Sequence, residues 1–236
     1  MSRMTRRAFM KSTAYLAGGA MGALSSGSGP LMPVETWASK IVFLETSCGE
    51  NQSRSRRVLV AYASMHGSTG EVAEAIGKVL CSQGATVDVR LVKNVESLTP
   101  YNAVVLGSAV RSDKWLSEAI QFVEKNRKTL SRMPVAYFLT CLTLTKPSEE
   151  NAGRARSYMD PVLEAVPEVK PVNMGLFAGV LDYSKYSFGI RAVMKYKMSS
   201  KGVKEGDYRD WDAIQSWAGR ASGAIAGAGV KSRNEG

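Results

Sequence analysis

The stretch that most constrains the fold is Arg57 to Gly70, RVLVAYASMHGSTG. A run of apolar and β-branched residues, Val58, Leu59, Val60 and Ala61, empties into Ser64-Met65-His66-Gly67-Ser68-Thr69-Gly70, and helical periodicity starts at once. That order reads strand, loop, helix. A helix start leaves backbone N–H groups without intrahelical partners at the positive end of a dipole, so small and hydroxyl residues delivered there suit a phosphate. Ser64, Ser68 and Thr69 add side-chain donors, and Gly67 lets the backbone approach closely. The simpler alternative is an ordinary turn capped by Ser68.

The rest of the chain repeats this unit. Val72, Ile76, Val79 and Leu80 recur at helical spacing, Gly84 ends that helix, and Thr86 to Leu91 alternates as a strand. Ala103-Val104-Val105-Leu106 reads as a strand buried on both faces and opens into Gly107-Ser108-Ala109-Val110-Arg111. A helix capped by Asp113 follows, with Leu116, Ala119, Ile120 and Val123 inward. Pro134 to Leu142 is a fourth strand, ending in Thr140-Cys141-Leu142-Thr143; Glu149 to Leu163 is one helix and Val172 to Leu181 a fifth strand. The last helix carries Trp211, Ile214, Ala218, Ala221 and Ile225 on one stripe. Strands alternating with helices imply a parallel sheet between two helical layers, with ligands beyond the carboxyl ends of the strands.

The net charge of +10 draws about three charges from the first 35 residues, so the remainder is only moderately basic and no nucleic-acid partner is expected. Cys48, Cys81 and Cys141 lie far apart and His66 is the single histidine, so no zinc spacing exists. Three cysteines cannot all pair; they read as buried or idle thiols, with a disulfide as the alternative.

Residues 1–34 combine Thr5-Arg6-Arg7-Ala8-Phe9-Met10-Lys11, a glycine-rich apolar stretch and a small-residue tail. This resembles a twin-arginine export signal and predicts a periplasmic or outer-face location, with no clean A-x-A cleavage site and retention as a tether left open. Cys48 follows Glu45, which argues against lipidation. Residues 35–56 read as a linker, 57–228 as the folded domain with an addition at 182–206, and 229–236 as a disordered tail.

The βα repeats, the hydroxyl-and-glycine loop after strand one and the short small-residue loops after strands three and four resemble flavodoxin. The family's T-x-T-G-x-T loop is matched by Ser64 to Thr69 except at His66, where an imidazole replaces a hydroxyl. Within that superfamily the chain most resembles the flavodoxin-like, menaquinone-dependent protoporphyrinogen dehydrogenases. The resemblance rests on Gly107 to Arg111, Met133-Pro134, Phe177-Ala178-Gly179, Leu181-Asp182-Tyr183 and Asp210-Trp211, and covers about Arg57 to Ala218. It implies a five-stranded parallel sheet in the order 2-1-3-4-5. It further implies FMN, with its phosphate on Ser64, Ser68, Thr69 and the amides of Met65 to Gly70, and its ring between Gly107 to Arg111 and Thr140 to Thr143. The electron partner would be a quinone, a tetrapyrrole or a redox protein. A flavodoxin-type electron carrier and a flavin-free binding domain are the rival readings.

Several residues carry alternatives. Arg111 beside the ring would raise the flavin potential, or it is a solvated loop arginine. Trp115 stacks on the flavin or packs under its helix, and His66 assists proton transfer or serves through its backbone. In the addition, Tyr183, Tyr186, Ile190, Val193, Met194 and Met198 form a helical stripe with Lys185, Arg191 and Lys195 pointing away. A helix so arranged over 183–198 rests on anionic lipid or packs on its own domain.

Overall fold

The computed structural model describes residues 41–49 and 56–234. The export-signal region lies outside them, as do residues 35–40 and 50–55 of the linker and the last two residues. Among the described residues no helix is long and apolar enough to cross a membrane.

The central strand is β2 (Arg57–Ala63), whose side chains alternate between two cores. It pairs in parallel with β3 (Thr86–Leu91) on one side and β4 (Ala103–Arg111) on the other, and β6 (Val135–Cys141) and β7 (Asn173–Ala178) continue beyond β4. The five parallel strands therefore stand in the order 2-1-3-4-5. Val58, Val60 and Tyr62 face α1 (Ser68–Ser82) and α6 (Trp211–Asn234), while Leu59, Ala61 and Ala63 face the layer of α2 (Ser117–Leu130), α3 (Glu149–Ser157) and α4 (Asp160–Ala165).

Two short strands enlarge this frame. β1 (Thr46–Cys48) comes from the expected linker and adds antiparallel to the outer edge of β3. Its attachment is largely polar: Ser47 Oγ donates to Asp88 at 2.6 Å, and Arg90 donates to the Thr46 carbonyl at 2.7 Å. Arg57 also pairs with Asp88 at 2.9 Å, so this nearly buried carboxylate stays ionised below its usual range although burial opposes it. β5 (Lys114–Trp115) folds back on the end of β4.

Four expectations need correction. Asp113 does not cap α2, whose N-cap is Leu116; Ser112 and Asp113 instead hold φ of 51° and 60° and make the two-residue turn between β4 and β5. The helix expected over Glu149 to Leu163 breaks before Asp160, where Pro161 starts α4. The fifth strand ends at Ala178, and after Gly179 the chain leaves the sheet as β8 (Val180–Leu181), which pairs with β9 (Gly206–Asp207). The expected tail from residue 229 is helical through Asn234, a continuation of α6.

Between β8 and β9 lies α5 (Phe188–Ser200). Leu181, Tyr183, Met198 and Val203 form a small core beneath it. The stripe expected from Tyr183 to Met198 does not act as one face. The helix starts at Phe188, Met198 is buried, and Ile190 and Val193 are 56% and 65% exposed. Phe188 and Tyr196 are barer still, at 90% and 80%.

Candidate functional site: a cavity at the carboxyl ends of the strands

The loops leaving β2, β4 and β6 converge on a cavity of about 750 Å³, with the segment from Gly179 to Val203 as its far wall. The loop after β2 is shaped by Gly67, whose φ of 89° places it in the left-handed region and whose missing Cβ leaves room for the Val42 carbonyl, 2.6 Å from where that atom would sit. Gly67 is the N-cap of α1, and its N–H donates to Ser64 Oγ at 2.9 Å. The loop therefore closes on itself at the start of a 15-residue helix, with Ser64, Met65, His66 and Ser68 lining the cavity.

Not every residue singled out in the sequence faces this space. From the second and third loops, Ala109, Val110, Arg111, Thr140, Cys141, Leu142 and Thr143 line it. Gly107 and Ser108 do not. A Cβ on Gly107 would fall 1.9 Å from the Phe138 ring, so that glycine serves core packing, and the buried Ser108 hydroxyl accepts from the Leu116 N–H at 3.0 Å. Gly70 is required by the Tyr62 ring, 2.8 Å from its absent Cβ. Thr69 is fully buried, and its hydroxyl meets that of Thr140 at 2.8 Å, tying the first loop to the third. Trp115 is buried against Tyr137 with ring centroids 5.1 Å apart, so it packs in the core and does not line the cavity.

His66 occupies a particular position. Its ring lies 4.5 Å from that of Tyr186, at the foot of the α5 segment, and both ring nitrogens are buried without a hydrogen-bond partner. Burial pushes its pKa down, and Lys185 and Arg111 push the same way against Asp182, so the imidazole is neutral at pH 7 and retains one N–H donor. An unpaired buried donor beside a helix start fits an anionic oxygen.

The electrostatics come largely from cations that the sequence analysis does not assign to the site. Lys146, Arg154, Lys197 and Lys201 join Arg111 and Lys185 around the cavity, against Asp113 as the one acidic lining residue among the described residues. Asp113 is itself paired with Arg154 at 3.0 Å. Lys146 donates to the Lys201 carbonyl and bridges the third loop to the end of α5. Arg209, also missed, is 7% exposed in its side chain. It pairs with Glu71 at 2.8 Å and Asp207 at 2.7 Å, donates to the Ser68 carbonyl at 3.3 Å and lies over the Trp211 ring at 4.4 Å. It therefore fixes the end of the added segment to the start of α1. The sequence signal for Arg209 is its place between Asp207 and Asp210 just before the last helix.

The family described as Flavodoxin domain matches residues 59–207. The chain is similar to a protoporphyrinogen IX dehydrogenase [quinone] of Leishmania major, 29% identical over 174 residues covering 70% of this chain and 74% of that protein. It is also similar to the protein of that name in Escherichia coli K12, 28% identical over 169 residues, covering 69% and 92%. Among solved structures, oxidised flavodoxin 2 from Bacillus cereus is 19% identical with a TM-score of 0.44, covering 73% of this chain and 99% of that one. With the matched segment running from β2 to β9, the chain belongs to the flavodoxin family.

Proposed function

We propose that the cavity binds FMN and that the protein is an exported oxidoreductase passing electrons to a quinone at a membrane surface. The observation that carries this reading is the cavity itself: a closed loop at a helix start on one side, and six cationic side chains against one acidic on the rim. The hydroxyls of Ser64 and Ser68, the free N–H of His66 and the start of α1 would hold the phosphate. Residues 109–111 and 140–143 would flank the ring. Bound flavin would supply one- and two-electron redox chemistry. The surrounding cations stabilise negative charge, so they favour the reduced anionic cofactor and raise its potential above that in an acidic site.

The same charges suit a substrate carrying carboxylates, and the two dehydrogenases to which the chain is similar are named for a tetrapyrrole and a quinone. A reduced tetrapyrrole as donor and a lipid-soluble quinone as acceptor fit that pattern. Residues 1–34 resemble a twin-arginine leader, and export by that route would put the reaction outside the cytoplasm, where nicotinamide nucleotides are lacking. α5 supplies the membrane contact: its outward face carries Phe188, Val193 and Tyr196, with Lys195 beside them and no acidic residue from 183 to 204.

Anaerobic reduction of the flavin-loaded full chain, followed by mixing with a menaquinone analogue in anionic vesicles, tests the proposal. Rapid reoxidation by quinone, with re-reduction by a porphyrinogen, is the expected result. Reoxidation by redox proteins alone would make it an electron carrier, and a colourless protein that ignores added FMN would make it a flavin-free binding domain.

A further inference from the structure

We propose that Cys48 and Cys81 form a disulfide site that fastens the edge strand β1 to helix α1. The inference stands apart from the flavin reading. Cys48 is in register with Val87 of β3, and directly opposed residues of an antiparallel pair share a face. Val87 belongs to the core layer under α1, so the Cys48 side chain faces that helix. On α1, Gly77 is the point of closest approach: its absent Cβ would lie 2.8 Å from Val89 and 3.5 Å from Val87. Cys81 is one turn further on, on the same face. The contacts fit this placement: Cys48 Sγ donates to the Gly77 carbonyl at 3.9 Å, one helical turn before Cys81, and both cysteines pack against the same core under α1.

Exposure then separates the three thiols. Cys48 and Cys81 are half-buried and within reach of a dissolved reagent, whereas Cys141 is buried at the end of β6. The reaction is an exchange with an external disulfide: one protein thiolate attacks it and releases one thiol, the second cysteine then displaces the other, and both protein thiol protons pass to the released thiols. Burial and the neighbouring thiol push the Cys48 ionisation up to about 12, so Cys48 is a poor attacking thiol. If the chain is exported folded, as proposed above, it would meet such an oxidant only afterwards, and this pair is accessible in the folded state.

Incubating the purified full chain with glutathione disulfide, unfolding it in alkylating reagent and mapping peptides by mass tests the site. The expected product joins the Cys48 and Cys81 peptides with two hydrogens lost, leaving Cys141 alone alkylated. The link closes a loop of about 33 residues, so reducing it should lower the thermal midpoint by about 5–10 °C. Cys48→Ser should instead retain glutathione on Cys81, while Cys81→Ser should react far more slowly. Three alkylated cysteines on every treated chain, or glutathione retained on the unaltered protein, would overturn the proposal.

Discussion

Ser68→Asp separates helix stability from phosphate binding. Ser68 is the first residue of α1 and lines the cavity, so a carboxylate there stands at the positive end of the helix dipole. In the empty protein that placement is worth about 0.3–1 kcal/mol in favour of folding. With FMN present the same carboxylate faces the phosphate. At ~5 Å and an effective dielectric constant of about 20, each pair of unit charges repels by about 3 kcal/mol, which corresponds to at least a 100-fold loss of affinity. Titration of the apoprotein by flavin fluorescence quenching, with FMN and with riboflavin, reads both effects when thermal midpoints are recorded alongside. The variant should bind FMN about 100-fold more weakly, leave riboflavin affinity nearly unchanged and melt no lower than the parent. Unchanged FMN affinity, or equal losses for the two flavins, would refute the placement of the phosphate.

Other substitutions probe the supports of the site. Arg209→Ala leaves the carboxylates of Glu71 and Asp207 without their shared partner and should lower stability by about 2–3 kcal/mol, read from denaturant midpoints. Gly107→Ala forces a methyl group into the Phe138 ring and should cost at least about 2 kcal/mol, and adding Phe138→Leu should recover part of that loss in a double-mutant cycle. Because burial depresses the His66 pKa, the unfolded chain takes up a proton that the folded chain resists. Stability of the apoprotein should therefore fall as pH drops through about 6.5 toward the lower folded value, and urea midpoints at pH 7.5 and 5.5 should show a smaller difference in His66→Gln.

The parallel core was legible because each of its five strands carries its own signal: continuous apolar runs at Val58 to Ala61 and Ala103 to Leu106 can only be buried on both faces. β1 was not, because Thr46-Ser47-Cys48 has no apolar alternation and is held by Asp88 and Arg90, residues some forty positions away. The turn at Ser112-Asp113 misled for a related reason, since an aspartate before a helical pattern looks like a cap whether or not its φ is positive. In the site, the loop composition marked where the cavity would be, but whether a residue faces it depends on packing partners across the sheet. Gly107 answers to Phe138 and Thr69 to Thr140, pairings that are not local in sequence, and Gly70 answers to Tyr62 on the preceding strand. The cations on the far wall are not assignable to the site from sequence because they belong to an added segment whose helical phase is set by its small core at Met198, not by the longest apolar stripe; Lys185, expected to point away from that stripe, lines the cavity.

Denaturing the purified full chain and identifying what it releases tests the central claim most directly. The account predicts close to one FMN per chain, with neither FAD nor riboflavin in its place, and uptake of FMN to the same ratio by protein first stripped of it. Protein that releases no flavin and takes up none when FMN is supplied would contradict it.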